Sequence, residues 1–374
     1  MANASTMRKG AGILVLAAAL TLTGCGTPAG DGGGETASAA TATSLADIGT
    51  MDDLIAAAKA EGKLNIIACP RTWANYGAVI DTFKSKYGIE VDEQNPDGSS
   101  AEEIQAVETN AGLDTAPDVL DLGLAVAASN TALFAPYKVQ TWDDIPAADK
   151  EASGLHVSDY GGYMALGFDS SKLPEPTAIT DLLKAEYKGS VAINGDPTQA
   201  GSALNAVGLA TVQNGGTLDD FTQGIDFFSE LNKAGNFLKI DPTDATIASG
   251  ETPMVFDWDY LSASQGTAVP GWKVILFPGK GVTSYYQQAI NKQAPHPAAA
   301  RLWEEFLYSD EGQNIWLQGG ARPVRMQAMT DAGTIDAASA SKLPVVPSEP
   351  LTLNTEQSNA AGTLLGEKWA AAIS

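Results

Sequence analysis

The sequence predicts an α/β protein built as two lobes. Its 374 residues are more than one hydrophobic core usually organises. Short apolar runs, such as residues 64–68, alternate with stretches whose apolar residues recur at helical spacing, such as Val79, Ile80 and Phe83. Strand–loop–helix units of this kind are typical of open α/β sheets, in which ligands bind beyond the carboxyl ends of the strands. We therefore expect a ligand cleft between two lobes.

The first part of the chain alternates helices with strands. Gly62 favours the end of the first helix, because glycine adopts the left-handed conformation at low cost. Ser100 and Glu103 form an S-x-x-E pattern, which predicts a capped helix start. Helices are predicted at residues 51–60, around Val79–Phe83 and from Ser100, and strands at residues 64–68, 88–91 and 117–123.

The rest of the chain continues this alternation. Pro297 suits the first position of a helix, and Leu364, Leu365 and Trp369 lie at helical spacing near the end. Strands are predicted at residues 159–168, 189–193, 250–256, 272–278 and 281–290, and helices at 181–187, after Gly201, from Thr217 to Gly235, through Ser264, from Pro297, from Ser309 and around Leu365.

The amino terminus has the features of a secretory signal. Arg8 and Lys9 precede an apolar run at residues 13–22, which is too short to span a bilayer. Residues 22–25, Leu-Thr-Gly-Cys, resemble a lipobox, which implies cleavage before Cys25 and lipidation of its sulfur. We expect a signal segment over residues 1–25, starting at Met1 or Met7, and a flexible Gly-, Ala-, Ser- and Thr-rich tether over residues 26–46.

Composition excludes several classes of function. The 45 acidic residues against 22 basic ones give a net charge of −23, which argues against binding to nucleic acid or to an anionic membrane. With two histidines and two cysteines, no zinc-binding spacing occurs, and no disulfide forms if Cys25 carries lipid and leaves Cys69 alone. No nucleophile, base and orienting group stand together. We expect no enzyme activity and no cofactor; an extracellular enzyme on the same fold would need a catalytic base such as Asp257 or Asp259.

Three motifs resemble one protein family. HPAAARLWEEFLYSDEGQ at residues 296–313 resembles the helix pair of type II extracellular solute-binding proteins, the capture subunits of ABC importers. Residues 159–174 resemble the family's first interlobe strand, with Gly161 and Gly162 as hinge residues, and residues 196–202 resemble its DPTxxGS turn. The resemblance implies a two-lobe periplasmic-binding-protein type II fold with two interlobe crossing strands. Lobe 1 then takes residues 47–162 and 287–345, lobe 2 takes 163–286, and a helical segment at 346–374 packs on a lobe.

Polar and aromatic side chains at strand ends, turns and crossings are the candidate ligand contacts. Alternative structural roles exist for several, such as helix capping for the serines and a solvated strand end for Asp121. The candidates are Thr72, Trp73, Asn75, Ser99, Asp121, Tyr163, Asp196, Thr198, Gln199, Ser202, Asp257, Trp258, Asp259, Tyr285 and Tyr286.

Three ligand classes fit these candidates. A polyamine or other organic amine is favoured, because carboxylates beside aromatic rings suit cations and methylene chains, and the chain is similar to spermidine/putrescine-binding proteins. Ferric ion is the second, from the Tyr285-Tyr286 pair. An aminophosphonate is the third, held by the turn at residues 198–202.

The resemblance also implies partners and a location. We expect a monomer, lipid-anchored through Cys25 at the extracellular face of the membrane or in the periplasm, that delivers its solute to ABC permease subunits. A ligand-sensing lipoprotein is the alternative outside transport.

Overall fold

The computed structural model describes residues 39–374, and these residues form the predicted α/β architecture. The predicted signal segment and the tether up to residue 38 lie outside the described residues. Between residues 39 and 374, none of the helices combines the length and hydropathy that a bilayer crossing requires.

The strands of this part of the chain join into one 11-stranded sheet, with β2-β1-β3-β9-β5-β7-β6 as its main order. Strands β4 and β11 also pair with β9, and β8 and β10 with β5. The strands are β1 (Lys63–Ile67), β2 (Glu90–Gln94), β3 (Val119–Gly123), β4 (Phe134–Ala135), β5 (Val157–Asp169), β6 (Val191–Ile193), β7 (Met254–Trp258), β8 (Trp272–Ile275), β9 (Lys280–Asn291), β10 (Arg322–Pro323) and β11 (Glu349–Leu351).

Helices flank this sheet. They are α1 (Leu45–Ile48), α2 (Met51–Glu61), α3 (Tyr76–Tyr87), α4 (Ser100–Thr109), α5 (Leu124–Ser129), α6 (Gly201–Gln213), α7 (Thr222–Lys233), α8 (Asp244–Ser249), α9 (Asp259–Ser264), α10 (Pro297–Leu307), α11 (Asp310–Gln318), α12 (Met326–Ala332), α13 (Ala337–Ala340) and α14 (Thr355–Ala372).

Two long strands connect the lobes. The first part of β5 pairs with β9, and its second part pairs with β7 and β8. Strand β9 pairs with β5 over residues 283–288 and, along its other edge, with β3 over residues 286–290. We call the part of the sheet with β1, β2 and β3 the first lobe, and the part with β6, β7 and β8 the second lobe. The predicted crossing pair is confirmed, since Gly161 lies opposite Tyr285 and Tyr163 opposite Thr283.

Gly161 and Gly162 sit where the crossing strands pack most closely. A Cβ atom on Gly161 would meet the carbonyl oxygen of Ser284, and one on Gly162 would meet the Asp259 carboxylate and the Tyr260 ring. Neither glycine has a positive φ angle. Close packing, rather than the backbone freedom that suggested a hinge, therefore requires glycine here.

A buried arginine fastens the start of the described chain to the first lobe. The Arg301 guanidinium donates to the carbonyl oxygens of Ala42 (2.9 Å) and Ala40 (3.2 Å) and to that of Pro297 in its own helix (3.0 Å). Ala39, Ala42 and Leu45 are also buried. Because these residues are packed, residues 39–46 are not part of a flexible tether, contrary to the prediction for residues 26–46.

Two predicted helices differ from the observed ones. Residues 179–187 form two short 3₁₀ helices (Ile179–Leu183 and Ala185–Tyr187) instead of one α-helix. The helix expected to begin at Thr217 begins at Thr222, because Asp220 accepts hydrogen bonds from the backbone and hydroxyl of Thr222 and forms a turn there (2.9 and 2.7 Å).

Candidate functional site

A cavity of about 690 Å³ lies between the two lobes. The first lobe lines it with the loops after β1, β2 and β3, and the second lobe with the loop after β6, the start of α6 and the end of β7. The crossing strand β9 contributes Ser284, Tyr285 and Tyr286. The cavity therefore occupies the cleft predicted between the lobes.

Among the described Asp, Glu, Lys, Arg and His residues, only acidic ones line this cavity. They are Asp97, Glu103, Asp121 and Asp241. No Lys, Arg or His among residues 39–374 lines it. A cation entering this space therefore finds carboxylates and no like charge, whereas an anion finds no basic side chain.

Asp121 is the central carboxyl group of the cavity. It lies in β3, is 5% exposed, and accepts hydrogen bonds at Oδ2 from the hydroxyls of Tyr76 (2.7 Å) and Tyr160 (3.0 Å). Its Oδ1 is buried and lacks a hydrogen-bond partner in the described part of the chain. Burial raises the pKa of Asp121 to about 7, although both tyrosine hydroxyls act to lower it. An unbonded carboxylate oxygen beside a cavity is costly unless a ligand pairs with it.

Glu103 lies next to Asp121. Its Oε2 accepts from the Asp121 backbone N–H at 2.9 Å, and its side chain is 1% exposed. Burial, and then the charge of Asp121, hold the pKa of Glu103 well above its usual range. Two adjacent carboxyl groups that resist ionisation together are stabilised as anions by a bound cation.

Aromatic rings form the wall beside Asp121. The Tyr286 ring stacks on Tyr160, with ring centres 5.6 Å apart, and meets the edge of Trp73 at 5.8 Å. Tyr285, the next residue along the extended strand, also lines the main cavity, but its ring packs beside Gly161 on the other face of the strand, near Asp149 and Tyr163. Tyr286 is therefore the tyrosine of this pair that lies beside Asp121 and Trp73.

A smaller cavity of about 170 Å³ adjoins the first and shares Trp73 and Asn194 with it. Thr72 and Asp257 line this smaller space. Asp257 Oδ1 accepts from the Ser202 hydroxyl at 2.9 Å and from the Trp258 backbone N–H at 2.8 Å. Burial raises the pKa of Asp257 to about 6. The smaller cavity thus adds the carboxyl groups of Asp244 and Asp257 to those of the main cavity.

The structure brings most of the predicted contacts to these two cavities. Ser99, which lines the main cavity, also caps α4: its hydroxyl donates to Glu102 at 2.8 Å, so the capping pair is Ser99 and Glu102, one residue before the predicted pair. The main cavity is lined by Trp73, Ser99, Asp121, Gln199, Ser202, Trp258, Tyr285 and Tyr286, and the smaller one by Thr72, Trp73 and Asp257.

Asp259 and Tyr163 line neither cavity. The buried Asp259 carboxylate forms a salt bridge with Arg322 and accepts from the backbone N–H of Tyr163 at 3.0 Å. The Tyr163 ring lies 4.9 Å from the Arg322 guanidinium. The Asp259 carboxylate therefore has its partners in Arg322 and the backbone of β5, away from both cavity linings.

Asn75, Asp196 and Thr198 also lie outside the cavity linings. The Asn75 amide donates to the Ile315 carbonyl at 3.0 Å and ties its loop to α11. Asp196 Oδ1 accepts from both the backbone N–H and the hydroxyl of Thr198 at 2.8 Å, so the two residues shape the turn that precedes α6.

Sequence reasoning did not select several residues that line the main cavity. Glu103 had been interpreted as a helix cap, and Asp97 and Asn194 lie in turns whose neighbours were selected. Leu353 and Ser358 come from the carboxyl-terminal segment. Nothing in their local sequence signals a cavity, because they reach it only through the pairing of β11 with β9.

A family model described as bacterial extracellular solute-binding protein matches residues 118–342. The match spans more than half of the chain. The chain belongs to the bacterial extracellular solute-binding protein family. Family membership implies an extracellular or periplasmic location and a role in binding a solute, and the cleft described above is the candidate site in this solute-binding protein. Comparison with curated proteins finds no match.

Solved structures share the fold of this solute-binding protein at low sequence identity. The periplasmic binding protein AfuA from Actinobacillus pleuropneumoniae, with exogenous fructose-6-phosphate bound, is 19% identical with a TM-score of 0.64, covering 83% of this chain and 98% of its own. Iron-bound HitA from Pseudomonas aeruginosa is 19% identical with a TM-score of 0.61, covering 81% and 97%. The Atu4243-GABA receptor is 18% identical with a TM-score of 0.63, covering 83% and 97%. These likenesses show the periplasmic-binding-protein fold, and the ligands named for these three proteins differ widely.

Proposed function

We propose that this protein is the solute-binding component of an ABC importer and that its cleft captures a small organic amine. The observation that carries the proposal is the acidic lining of the main cavity. Asp97, Glu103, Asp121 and Asp241 line it, and no Lys, Arg or His of residues 39–374 does. Two solved structures of the same fold are of ABC transporter proteins, from Clostridium perfringens and Bradyrhizobium japonicum, which supports the transport role.

A positively charged ammonium group can pair with the carboxyl groups of this cavity. Asp121 has one unbonded carboxylate oxygen, and Glu103 lies beside it. Charge-assisted hydrogen bonds from N⁺–H to a carboxylate are stronger than neutral ones, and a cation allows buried carboxyl groups to ionise. The amine therefore replaces protons that the empty site holds.

The aromatic wall suits the remainder of an amine ligand. Trp73 and Tyr286 offer ring surfaces that attract cations and pack against methylene groups. The volume of about 690 Å³ falls within the range of roughly 300–1,000 Å³ typical of small-molecule sites. Polyamines, which combine spaced ammonium groups with methylene chains, are the class we expect within the amines.

The other ligands considered have less support. A phosphonate or sugar phosphate would need basic groups, but Arg322 pairs with Asp259 and Arg325 with Asp144 and Asp310. Ferric ion would need clustered ligands, and Tyr285 and Tyr286 face opposite sides of β9. In residues 39–374, no group of three or more His, Cys, Asp or Glu is arranged to hold a metal ion.

Location and partners follow from the same proposal. The protein acts outside the cytoplasmic membrane as a monomer, tethered by a lipid on Cys25, and closes around its solute before docking on the permease subunits. Solute binding raises the population of the closed form, because the solute binds the closed form more tightly than the open form.

The test is thermal unfolding of the purified protein with putrescine, spermidine, ferric citrate, an aminophosphonate and fructose-6-phosphate. We expect an amine to raise Tm in a concentration-dependent way, because a ligand that binds only the folded state stabilises it. Asp121→Asn, which keeps an oxygen for Tyr76 and Tyr160, should remove the shift. Asp226→Asn, an exposed acid on α7, is the matched control. A shift with fructose-6-phosphate and none with the amines would reject the proposal.

A further inference from the structure

The carboxyl-terminal segment lies outside the region that the family model covers. The family match ends at residue 342, whereas β11 and α14 follow it. Strand β11 pairs in parallel with the beginning of β9, with Glu349 opposite Lys280 and Leu351 opposite Val282. This pairing brings the segment back to the cleft, where Leu353 and Ser358 line the main cavity.

Helix α14 is fixed to the second lobe. Ala361, Leu365 and Trp369 are buried at a spacing of four residues, so they form one face of the helix. The Trp369 ring packs edge-on against Phe228 of α7 at 5.5 Å. A hydrogen bond of 2.7 Å from Gln357 to Asp219 and one of 3.1 Å from Asn232 to the Ser374 carbonyl add to this attachment.

The same helix also reaches the first lobe. It contacts α5, whose residues Leu124 and Val126 line the cavity that Leu353 and Ser358 face. The described side chains of α14 and α5 share no hydrogen bond or ion pair. Contact between the α14 segment and the α7 segment is therefore partly polar, through residues in and just outside the two helices, whereas contact with α5 depends on van der Waals packing, which separates at lower cost.

We infer that β11 and α14 form a latch for the solute cleft: they belong to the second lobe, contact the enclosed solute through Leu353 and Ser358, and hold the closed form through α5. The inference rests on the proposed solute-binding role but not on the ligand being an amine. When the lobes separate, α14 moves with α7 and loses its contact with α5. Loosening α14 therefore opens the cleft and speeds solute release.

The first test needs no ligand. Hydrogen–deuterium exchange is compared for the wild type, Trp369→Ala and Lys368→Ala, an exposed neighbour on the same helix. We expect Trp369→Ala to raise exchange in both α14 and α5, with Lys368→Ala unchanged. Faster exchange in α14 and α7 while α5 keeps its protection would mean that α14 only covers the second lobe, and would overturn the inference.

The second test uses variants that leave the Trp369 anchor intact. Ser358→Trp puts a large ring into the cavity wall, and Asn359→Trp puts the same ring on the exposed side of α14. With putrescine as the probe, calorimetry should show at least about tenfold weaker binding for Ser358→Trp, a change that corresponds to about 1.4 kcal/mol, and little change for Asn359→Trp. Equal affinities in the two variants would overturn the inference. If the wild type ignores putrescine, the amine proposal fails, and the exchange experiment decides the latch alone.

Discussion

The Asp121 carboxylate is fixed in orientation by one oxygen while its other oxygen can bind a ligand. Tyr76 and Tyr160 bind one oxygen of its carboxylate, which fixes the orientation of the group, while the other oxygen has no partner among the described residues. Both tyrosine rings are buried, so the arrangement cannot relax easily. The carboxylate is thus oriented before a ligand arrives, which lowers the entropic cost of binding.

We predict that amine affinity rises with pH. Asp121 has a pKa of about 7 in the folded protein, so it is mostly protonated at pH 6 and mostly ionised at pH 8, whereas an alkylamine stays charged over this range. Affinity for putrescine should increase about tenfold from pH 6 to pH 8, measured by calorimetry. In Asp121→Asn the residual binding should lose this dependence. An affinity that is flat with pH in the wild type would contradict the assignment.

The raised pKa of Asp121 also means that the empty protein becomes less stable as pH rises. Because the pKa of Asp121 is raised in the folded state, the folded protein holds a proton that the unfolded chain releases above its usual pKa of 3.8. This contribution to the free energy of unfolding is full below that pKa and is lost as pH rises through about 7. Solute binding therefore compensates for the ionisation that destabilises the empty cleft.

Gly162 is predicted to be intolerant of a side chain. In Gly162→Ala the added methyl group meets the Asp259 carboxylate and the Tyr260 ring, which are both buried. We expect the free energy of unfolding to fall by roughly 1–3 kcal/mol, measured by urea denaturation, as is usual for overpacked cores. A neutral effect would show that the crossing strands have room to shift.

Residue-level chemistry was only partly predictable from the sequence. Strand ends and turns pointed to side chains such as Trp73 and Asp121, which line the main cavity, because the fold class alone puts these positions at a cleft. Asp259 looked equally suitable, but it pairs with Arg322, a residue 63 positions away. Nothing local to either residue indicates that pairing, since it arises only when β10 joins β5.

At the scale of elements, helix α14 offers a test of its own. Gly366 lies exposed inside this helix, and a Cβ atom there meets nothing within 4 Å. Gly366→Ala should stabilise the helix by about 0.5–1 kcal/mol, since alanine loses less backbone entropy on folding than glycine. Hydrogen exchange within α14 should slow accordingly. Unchanged or faster exchange would argue that α14 is already limited by its packing on α7.

Element positions followed the sequence well where a local signal exists. Gly62 ends α2 in the left-handed conformation, Pro297 begins α10, and Ser309 caps α11, all as predicted. Errors arose where two residues offered similar signals. Ser99 and Ser100 are both adequate caps, and each has a glutamate three residues later, so the sequence does not decide between Glu102 and Glu103. The choice leaves Glu103 free to be buried beside Asp121.

At the scale of the whole molecule, charge should govern how the solute arrives. The net charge of −23 and the acidic cavity attract a dication over distances set by ionic strength. The Debye length shortens from roughly 30 Å at 0.01 M salt to about 8 Å at 0.15 M. The association rate of putrescine in stopped-flow measurements should therefore fall markedly across this range. A rate that does not depend on salt would show that steering plays no part.

The global arrangement was predictable because the motif at residues 159–174 matches the first crossing and the helix pair at 296–313 follows the predicted strand at 281–290, and β5 and β9 pair as expected. The return of the chain to the cleft after residue 342 could not be predicted from the sequence. Segment 346–374 was assigned to packing on a lobe, but its three-residue strand β11 carries no periodic signal long enough to predict a partner. Long-range strand pairing of this kind depends on the finished sheet.

The clamp of Arg301 on the carbonyls of Ala40 and Ala42 has a mechanical consequence. A force applied through the residues before Ala39 is therefore transmitted to α10 and the first lobe. The amino-terminal anchor proposed above would therefore restrain the first lobe directly, whereas the second lobe is joined to it through β5, β9, the Arg322–Asp259 salt bridge and the proposed latch.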